Sequence, residues 1–184
     1  MVKVDRVVHQ IEIPDGTSVS TEEDGTVTVN SDGTSLSRCF AHPNVNIVLE
    51  GEDDLCVEVE LPRRKEKALA GTWAAHLRNM VKGVNEGFEY RMKAVYSHFP
   101  MNIQVKGDKL MINNLFGEKI PRQANLVWSP AQVTVKVQNK VDVIVSGADK
   151  EKVGQTAANI ERACRIRRRD RRVFQDGIYL VSRN

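Results

Sequence analysis

DKEKVGQTAANIERACRIRRRDRRVFQDGIYLV (149–181) holds three kinds of chemistry in one run of chain. Its first part sets Val153, Ala157, Ile160 and Cys164 at helical spacing, one apolar stripe on an amphipathic helix. Asp149 stands where a carboxylate caps such a helix. The middle is cationic: from Arg162 to Arg172 seven arginines face one acid, Asp170. The end is apolar and aromatic again, and its DGIYLV segment (176–181) fits an added edge strand. The cationic block is thus tied down on both sides, whereas a loose tail more commonly stays polar to its terminus. Arginine at this density suits phosphate, because the planar guanidinium fork matches two phosphate oxygens at once. The plainer reading is a solvated helix end whose cations complement the helix dipole.

The helix has a counterpart earlier in the chain. GTWAAHLR (71–78) lies over GQTAANIE (154–161) at an offset of 83, with Gly, Ala and Ala identical and Leu77 opposite Ile160. Residues 63–86 read as one long helix with Leu69, Trp73, Leu77, Met80 and Val84 on one side. Ala70 and Ala74 allow close approach beside them, Trp73 anchors a small core, and Gly87 closes the helix. Ahead of it VVHQIEI (7–13) fits a strand, and TVTVN (26–30) with LSRCF (36–40) fits a hairpin about Asp32-Gly33. NIVLE (46–50) and LCVEVEL (55–61) flank the polar turn Gly51-Glu52-Asp53-Asp54 as a second hairpin. In the later half NIQVK (102–106) with LMINN (110–114) is predicted to match the first hairpin. QVTVKV (132–137) with VDVIV (141–145) is predicted to match the second. The predicted fold class is α+β: two tandem copies of a small antiparallel sheet packed on one helix, residues 1–88 and 89–184, from an internal duplication.

The copies differ in charge. Residues 1–88 carry 9 Lys and Arg against 15 Asp and Glu, while residues 89–184 carry 18 against 9. A polyanion is therefore drawn to the second copy and mildly repelled by the first. The second copy also has an insertion, NNLFGEKIPRQANLVWSP (113–130), with Lys119 and Arg122 among apolar residues, and such loops carry binding or assembly contacts. Arg91, Lys93, Tyr96, His98 and Phe99 cluster at its start.

Signals for catalysis are absent from this pattern. No Gly-rich phosphate loop of the Walker or dinucleotide type occurs. His9, His42, His76 and His98 are scattered away from metal-site spacing, and His76 falls on the polar flank of its helix. Cys39, Cys56 and Cys164 make neither a zinc pattern nor a disulfide framework. The acids Glu22, Glu23, Asp24, Glu52, Asp53 and Asp54 read as turn surface. No apolar run approaches the roughly 20 residues that span a bilayer. The N-terminus has no apolar core with a cleavage site, so secretion is not expected. Aromatic residues at 5% argue against a stacking platform for single strands. The residues alone therefore predict structured RNA, bound by the second copy through phosphates and shape.

Three stretches carry a resemblance to a known family: RNMVKGVNEGFEYRMKAVYSHFP (78–100), NNLFGEK (113–119), and Asp170, Arg172, Phe174 with DGIYLV (176–181). With these the chain resembles the ribosomal protein L6 family of the large subunit, in its archaeal and eukaryotic form. The resemblance implies two similar α+β domains and a structural component of the large ribosomal subunit. Such a protein sits on large-subunit rRNA near the base of the factor-binding stalk, with the second domain as the main contact, close to the sarcin–ricin region. Carried onto this chain, the RNA-binding candidates are Lys119, Arg122, Arg165, Arg167, Arg168, Arg169, Arg171 and Arg172. The bacterial YKGKG-type segment is absent here, as is the longer C-terminal tail of eukaryotic members, which favours an archaeal source. Implied partners are large-subunit rRNA, neighbouring ribosomal proteins and translation factors, in the cytoplasmic ribosome. No enzyme activity, cofactor, metal, membrane or small-molecule substrate is expected. The rival readings are a non-ribosomal protein-interaction adaptor and, third, an enzyme.

Overall fold

Alternating apolar residues make strands that need a cover, and each half of the chain supplies one helix as that cover. The computed structural model describes residues 6–50 and 54–184. Gly51, Glu52 and Asp53 of the expected second turn lie outside the described residues. The chain divides into two compact units that meet in sequence at Glu86 and Gly87.

The first unit runs β1 (Arg6–Glu12), β2 (Ser18–Thr21), β3 (Thr26–Ser31), β4 (Thr34–Cys39), β5 (Asn46–Glu50), β6 (Asp54–Glu60) and α1 (Arg64–Asn85). Its strands form two antiparallel sheets, β1-β6-β5 and β2-β3-β4, rather than the single sheet expected. Both sheets turn their valine and leucine rows toward α1, with Val27, Val29, Leu55, Val57 and Val59 buried. The helix answers with Ala70, Trp73, Ala74, Leu77, Met80, Val81 and Val84. Trp73 is the anchor the sequence suggested: its ring meets Phe40 edge-on at 5.4 Å. At the helix start the Arg63 amide donates to Glu66 Oε2 at 2.7 Å, and this bond holds the Glu66 carboxyl below its usual range. At its end Gly87 adopts φ +72°, a left-handed stop that glycine takes without steric cost. His76 is half-buried, with its Nδ1 3.2 Å from Arg38 Nη1 on β4, rather than merely solvated.

The second unit runs β7 (Phe88–Val95), β8 (Asn102–Lys106), β9 (Lys109–Asn113), a short 3-10 turn (Leu115–Gly117), β10 (Arg122–Asn125), β11 (Val133–Gln138), β12 (Asp142–Gly147), α2 (Lys150–Ala163) and β13 (Gly177–Arg183). Its sheets, β8-β9-β10 and β11-β12-β7-β13, repeat the first unit's two sheets in the same order and add one strand, β13, at an edge. The four stripe residues of α2 are all buried, and Asp149 caps the helix by accepting from the Glu151 amide at 2.9 Å and the Lys152 amide at 3.4 Å.

The duplication holds, but one hairpin shifts. Thr26 opens β3 and Lys109 opens β9, again 83 apart, so the LMINN strand matches the centre of the first sheet. NIQVK therefore matches β2, a four-residue strand too short to read from its sequence, SVST. The insertion 113–130 is also more structured than a loop: it contains the 3-10 turn and β10, and buries Leu115, Phe116 and Ala124.

Gly147 ends β12 where the chain turns into α2. A Cβ there would lie 2.5 Å from the Gln132 carbonyl oxygen and 3.1 Å from Val153 Cγ2. Gly147→Ala is expected to cost about 1–3 kcal/mol through overpacking. Gly154→Ala, whose Cβ would meet Tyr90 at an ordinary 3.7 Å, should hold or raise stability by up to about 1 kcal/mol. Urea unfolding followed by circular dichroism separates the two.

Candidate nucleic-acid interface

Arginine is a good helix former, so propensity alone favours prolonging α2 through the run after Ile160. Instead the helix ends at Ala163 with Cys164 as its cap, and only Arg162 lies in the last helical turn. Arg165, Arg167, Arg168, Arg169, Arg171 and Arg172 stand on the loop beyond, and all six are exposed. The dipole reading thus applies to Arg162 alone.

The loop is built. Asp170, the lone acid, folds it: Oδ1 accepts from the Arg172 amide at 2.9 Å, and its carbonyl accepts from the Phe174 amide at 2.9 Å. Arg168 takes φ +57°, turning the chain. Phe174 packs edge-on to Phe116 at 5.9 Å. The Arg169 guanidinium stands over both rings, 4.9 Å from Phe174 and 5.5 Å from Phe116. Beyond Phe174, Asp176 is buried and accepts from the Ser97 amide at 3.2 Å. The strand β13 then fixes the loop's far end by pairing with β7.

Arg122 and Lys119 part company. Lys119 is exposed. Arg122 is half-buried, and its guanidinium is occupied within the unit. Nε and Nη2 donate to the two Glu118 oxygens at 2.8 and 2.7 Å, while Nη1 donates to the carbonyls of Arg165 at 2.6 Å and Ala163 at 3.3 Å. The first carbonyl belongs to the loop just past the cap of α2 and the second to its last residue, where a helix leaves acceptors without helical partners. Arg122 therefore braces the 3-10 turn against the base of the arginine loop. The bond from Arg122 pulls the Glu118 carboxyl below its usual range, and Glu118 in turn raises Arg122. Sequence offered no sign of this brace, because its acceptors are backbone atoms from a distant element.

The three stretches that carried the resemblance meet here. Asn114 donates to the Pro100 carbonyl at 3.1 Å, and the Phe99 ring lies against Gly117, where a Cβ would come within 3.2 Å of it. Two open clefts border the end of α2 and share Arg162. One, of about 560 Å³, is lined by the Glu118–Arg122 pair, Arg167 and Arg168. The other, of about 370 Å³, has Arg165 and Arg171 around apolar residues. Burial pushes the Cys164 thiol up to about 11, which leaves it protonated and unreactive at neutral pH. Among the described residues no group of three or more His, Cys, Asp or Glu is placed to hold a metal, and no helix is long and apolar enough to cross a membrane.

Two tandem sheet-and-helix units, one bearing a braced cationic loop, define a duplicated α+β protein organised around a basic surface. A model of the family described as "Ribosomal protein L6" matches residues 13–87 and 99–177, one match in each unit. The chain belongs to the ribosomal protein L6 family, whose members are structural, non-enzymatic proteins. It is 46% identical over 183 residues to "Large ribosomal subunit protein uL6" of Methanobrevibacter smithii, covering 100% of this chain and 99% of that protein. It is 46% identical to the protein of that name from Methanosarcina mazei, covering 98% and 99% of the two chains. With that of Methanococcus vannielii the identity is 47%, covering 95% and 93%.

A carboxylate whose pKa is depressed on folding lends stability above its unfolded value and loses it as pH falls through the folded one. Glu118→Gln should therefore be less stable than the parent at neutral pH and converge with it as the pH drops below about 4. Arg122→Ala, which strips the helix-end carbonyls of their donor, should cost roughly 1–3 kcal/mol. Urea unfolding of parent and variants across pH checks both.

Proposed function

We propose that this protein is a structural component of the large ribosomal subunit that binds large-subunit rRNA near the base of the factor-binding stalk. The arginine loop carries this reading. Six exposed guanidiniums are held on a segment fixed by Asp170, Asp176, the Phe116–Phe174 pair and β13. A surface fixed before it meets its ligand loses little conformational freedom on binding. Arginine forks then take phosphate oxygens bidentately, while helical RNA is read by shape and 2′-hydroxyls. The names of the relatives, large ribosomal subunit proteins, support the same assignment.

The division of labour follows the charge. Residues 89–184, with 18 basic against 9 acidic side chains, are the main rRNA-binding domain. Residues 1–88, acidic by 15 to 9, face protein neighbours or translation factors. Lys119, Arg165, Arg167, Arg168, Arg169, Arg171 and Arg172 meet phosphates, and Arg122 serves binding by holding the loop's base in place. The action is architectural and is carried out in the cytoplasmic ribosome.

Exchange of Arg167, Arg168 and Arg169 for Ala is expected to leave the circular dichroism spectrum unchanged and to weaken binding to purified large-subunit rRNA in a filter assay. Each lost phosphate contact should lower the salt slope by about one. The parent should sediment with large subunits and leave only at high salt. Unchanged affinity and slope in the folded triple variant would overturn the assignment of the loop.

A further inference from the structure

The smaller cleft differs in chemistry from the rest of the basic surface. Much of its lining is apolar: the buried Cys164, Gly177 and Ile178 and the half-buried Ile166. Tyr179, 45% exposed, forms one wall. Its ring packs over Gly177, where a Cβ would lie 3.3 Å from it, and its hydroxyl donates to the Gln175 carbonyl at 2.8 Å. The ring is therefore held by two contacts while its outer part stays open. Three exposed arginines, Arg162, Arg165 and Arg171, border the cleft. One acid, Glu161, shares that border, and its Oε1 is already engaged by the Leu180 amide at 3.1 Å.

An apolar recess ringed by guanidiniums sets two demands on an occupant. It must offer a flat or apolar body to the recess, and it must bring anionic oxygens to the ring. An aliphatic side chain from a protein neighbour meets the first demand but would desolvate the arginines without pairing them. A helical stretch of RNA meets the second but keeps its bases stacked inside. One unpaired nucleotide meets both, with its base in the recess and its phosphates on the ring.

We propose that this cleft receives a single nucleotide turned out of the folded RNA, its base against Tyr179 and its flanking phosphates on Arg165 and Arg171. The inference rests on the RNA-binding reading above and deepens it. The volume of about 370 Å³ is at the small end of ligand sites, suited to one base and its ribose rather than to a longer strand. Arg162 is shared with the neighbouring cleft lined by Arg167 and Arg168, so the strand leaving the recess passes directly onto the phosphate-binding loop. Single bases displaced from their stack are what side chains of folded RNA-binding proteins recognise by stacking.

Tyr179→Leu keeps an apolar side chain on an edge strand but removes the aromatic face, and Tyr179→Phe keeps the face but loses the hydroxyl bond. With purified large-subunit rRNA in a filter assay over a range of salt, Tyr179→Leu should bind about 5- to 150-fold more weakly with its salt slope unchanged. Tyr179→Phe should stay close to the parent. Circular dichroism confirms that both fold. Parent-like binding by the folded Tyr179→Leu protein, beside weakened binding by the triple arginine variant, would overturn the nucleotide cleft and leave the loop reading standing. Parent-like binding by both would overturn the two together.

Discussion

The bonds from Arg122 tie the last residue of α2 and the start of the loop beyond it to the 3-10 turn, and so fix the base from which the arginines spring. A helix leaves its last carbonyls without partners, and a sequence rich in arginine would satisfy them by winding on. Arg122 gives the carbonyls of Ala163 and Arg165 a donor at 3.3 and 2.6 Å instead. Had α2 continued through Arg172, the side chains would point around the full helical circle, and like charges would repel at spacings of three and four residues. Stopping the helix lets Arg168 turn left-handed and lets Asp170 fold the chain back, so the cations share one loop. The brace also explains Glu118, whose bidentate pairing leaves the guanidinium free to reach the helix end only through Nη1.

Duplication supplied the frame, and the second copy departs from the first at the places this brace uses. The two helices bury equivalent positions, Leu77 and Ile160, Ala74 and Ala157, against equivalent sheets. At the third shared position Trp73 faces Phe40 in the first unit, while Thr156 in the second is smaller and returns its hydroxyl to the Lys152 carbonyl at 2.8 Å. The aromatic pair of the second unit lies instead between the 3-10 turn and the arginine loop, in Phe116 and Phe174. That pair underlies Arg169 and ties the loop to the core. The added strand β13 extends beyond the duplicated plan and carries Tyr179 to the edge where the smaller cleft opens.

Much of this frame could be read from periodicity. The two helices, the valine-rich hairpins and the edge strand at DGIYLV announce themselves because their burial repeats at the period of the element. The strand β7 shows the same alternation, Phe88, Tyr90, Met92 and Ala94 inward, yet it begins at the boundary between residues 88 and 89 drawn between the copies and was not read as a strand. The short β2 and β10 have four residues each, too few for a pattern to emerge. Missing β2 moved the first hairpin of the second copy by one strand, although the helix offset of 83 carried Thr26 onto Lys109 all along. The arginines were legible as a basic surface because charge density is local. Arg122 was not legible as a brace, since nothing near it in sequence reveals that the helix end lies within reach.

The acids of the basic end are what make its charge usable. Glu118 holds Arg122, Asp170 holds the Arg172 amide, Asp176 holds the Ser97 amide and Glu161 holds the Leu180 amide. Each carboxylate is turned to a nearby donor in the second unit and fixes backbone or brace geometry. The six loop arginines are exposed, Arg169 over the Phe116 and Phe174 rings, on a support fixed by these bonds. Electrostatic attraction between exposed charges in water is weak for any one pair, so affinity for a polyanion depends on presenting several cations together. Such a loop on mobile chain would lose that advantage to the entropy of ordering it. The few acids among the arginines therefore strengthen the surface, because what they remove in net charge they return as rigidity.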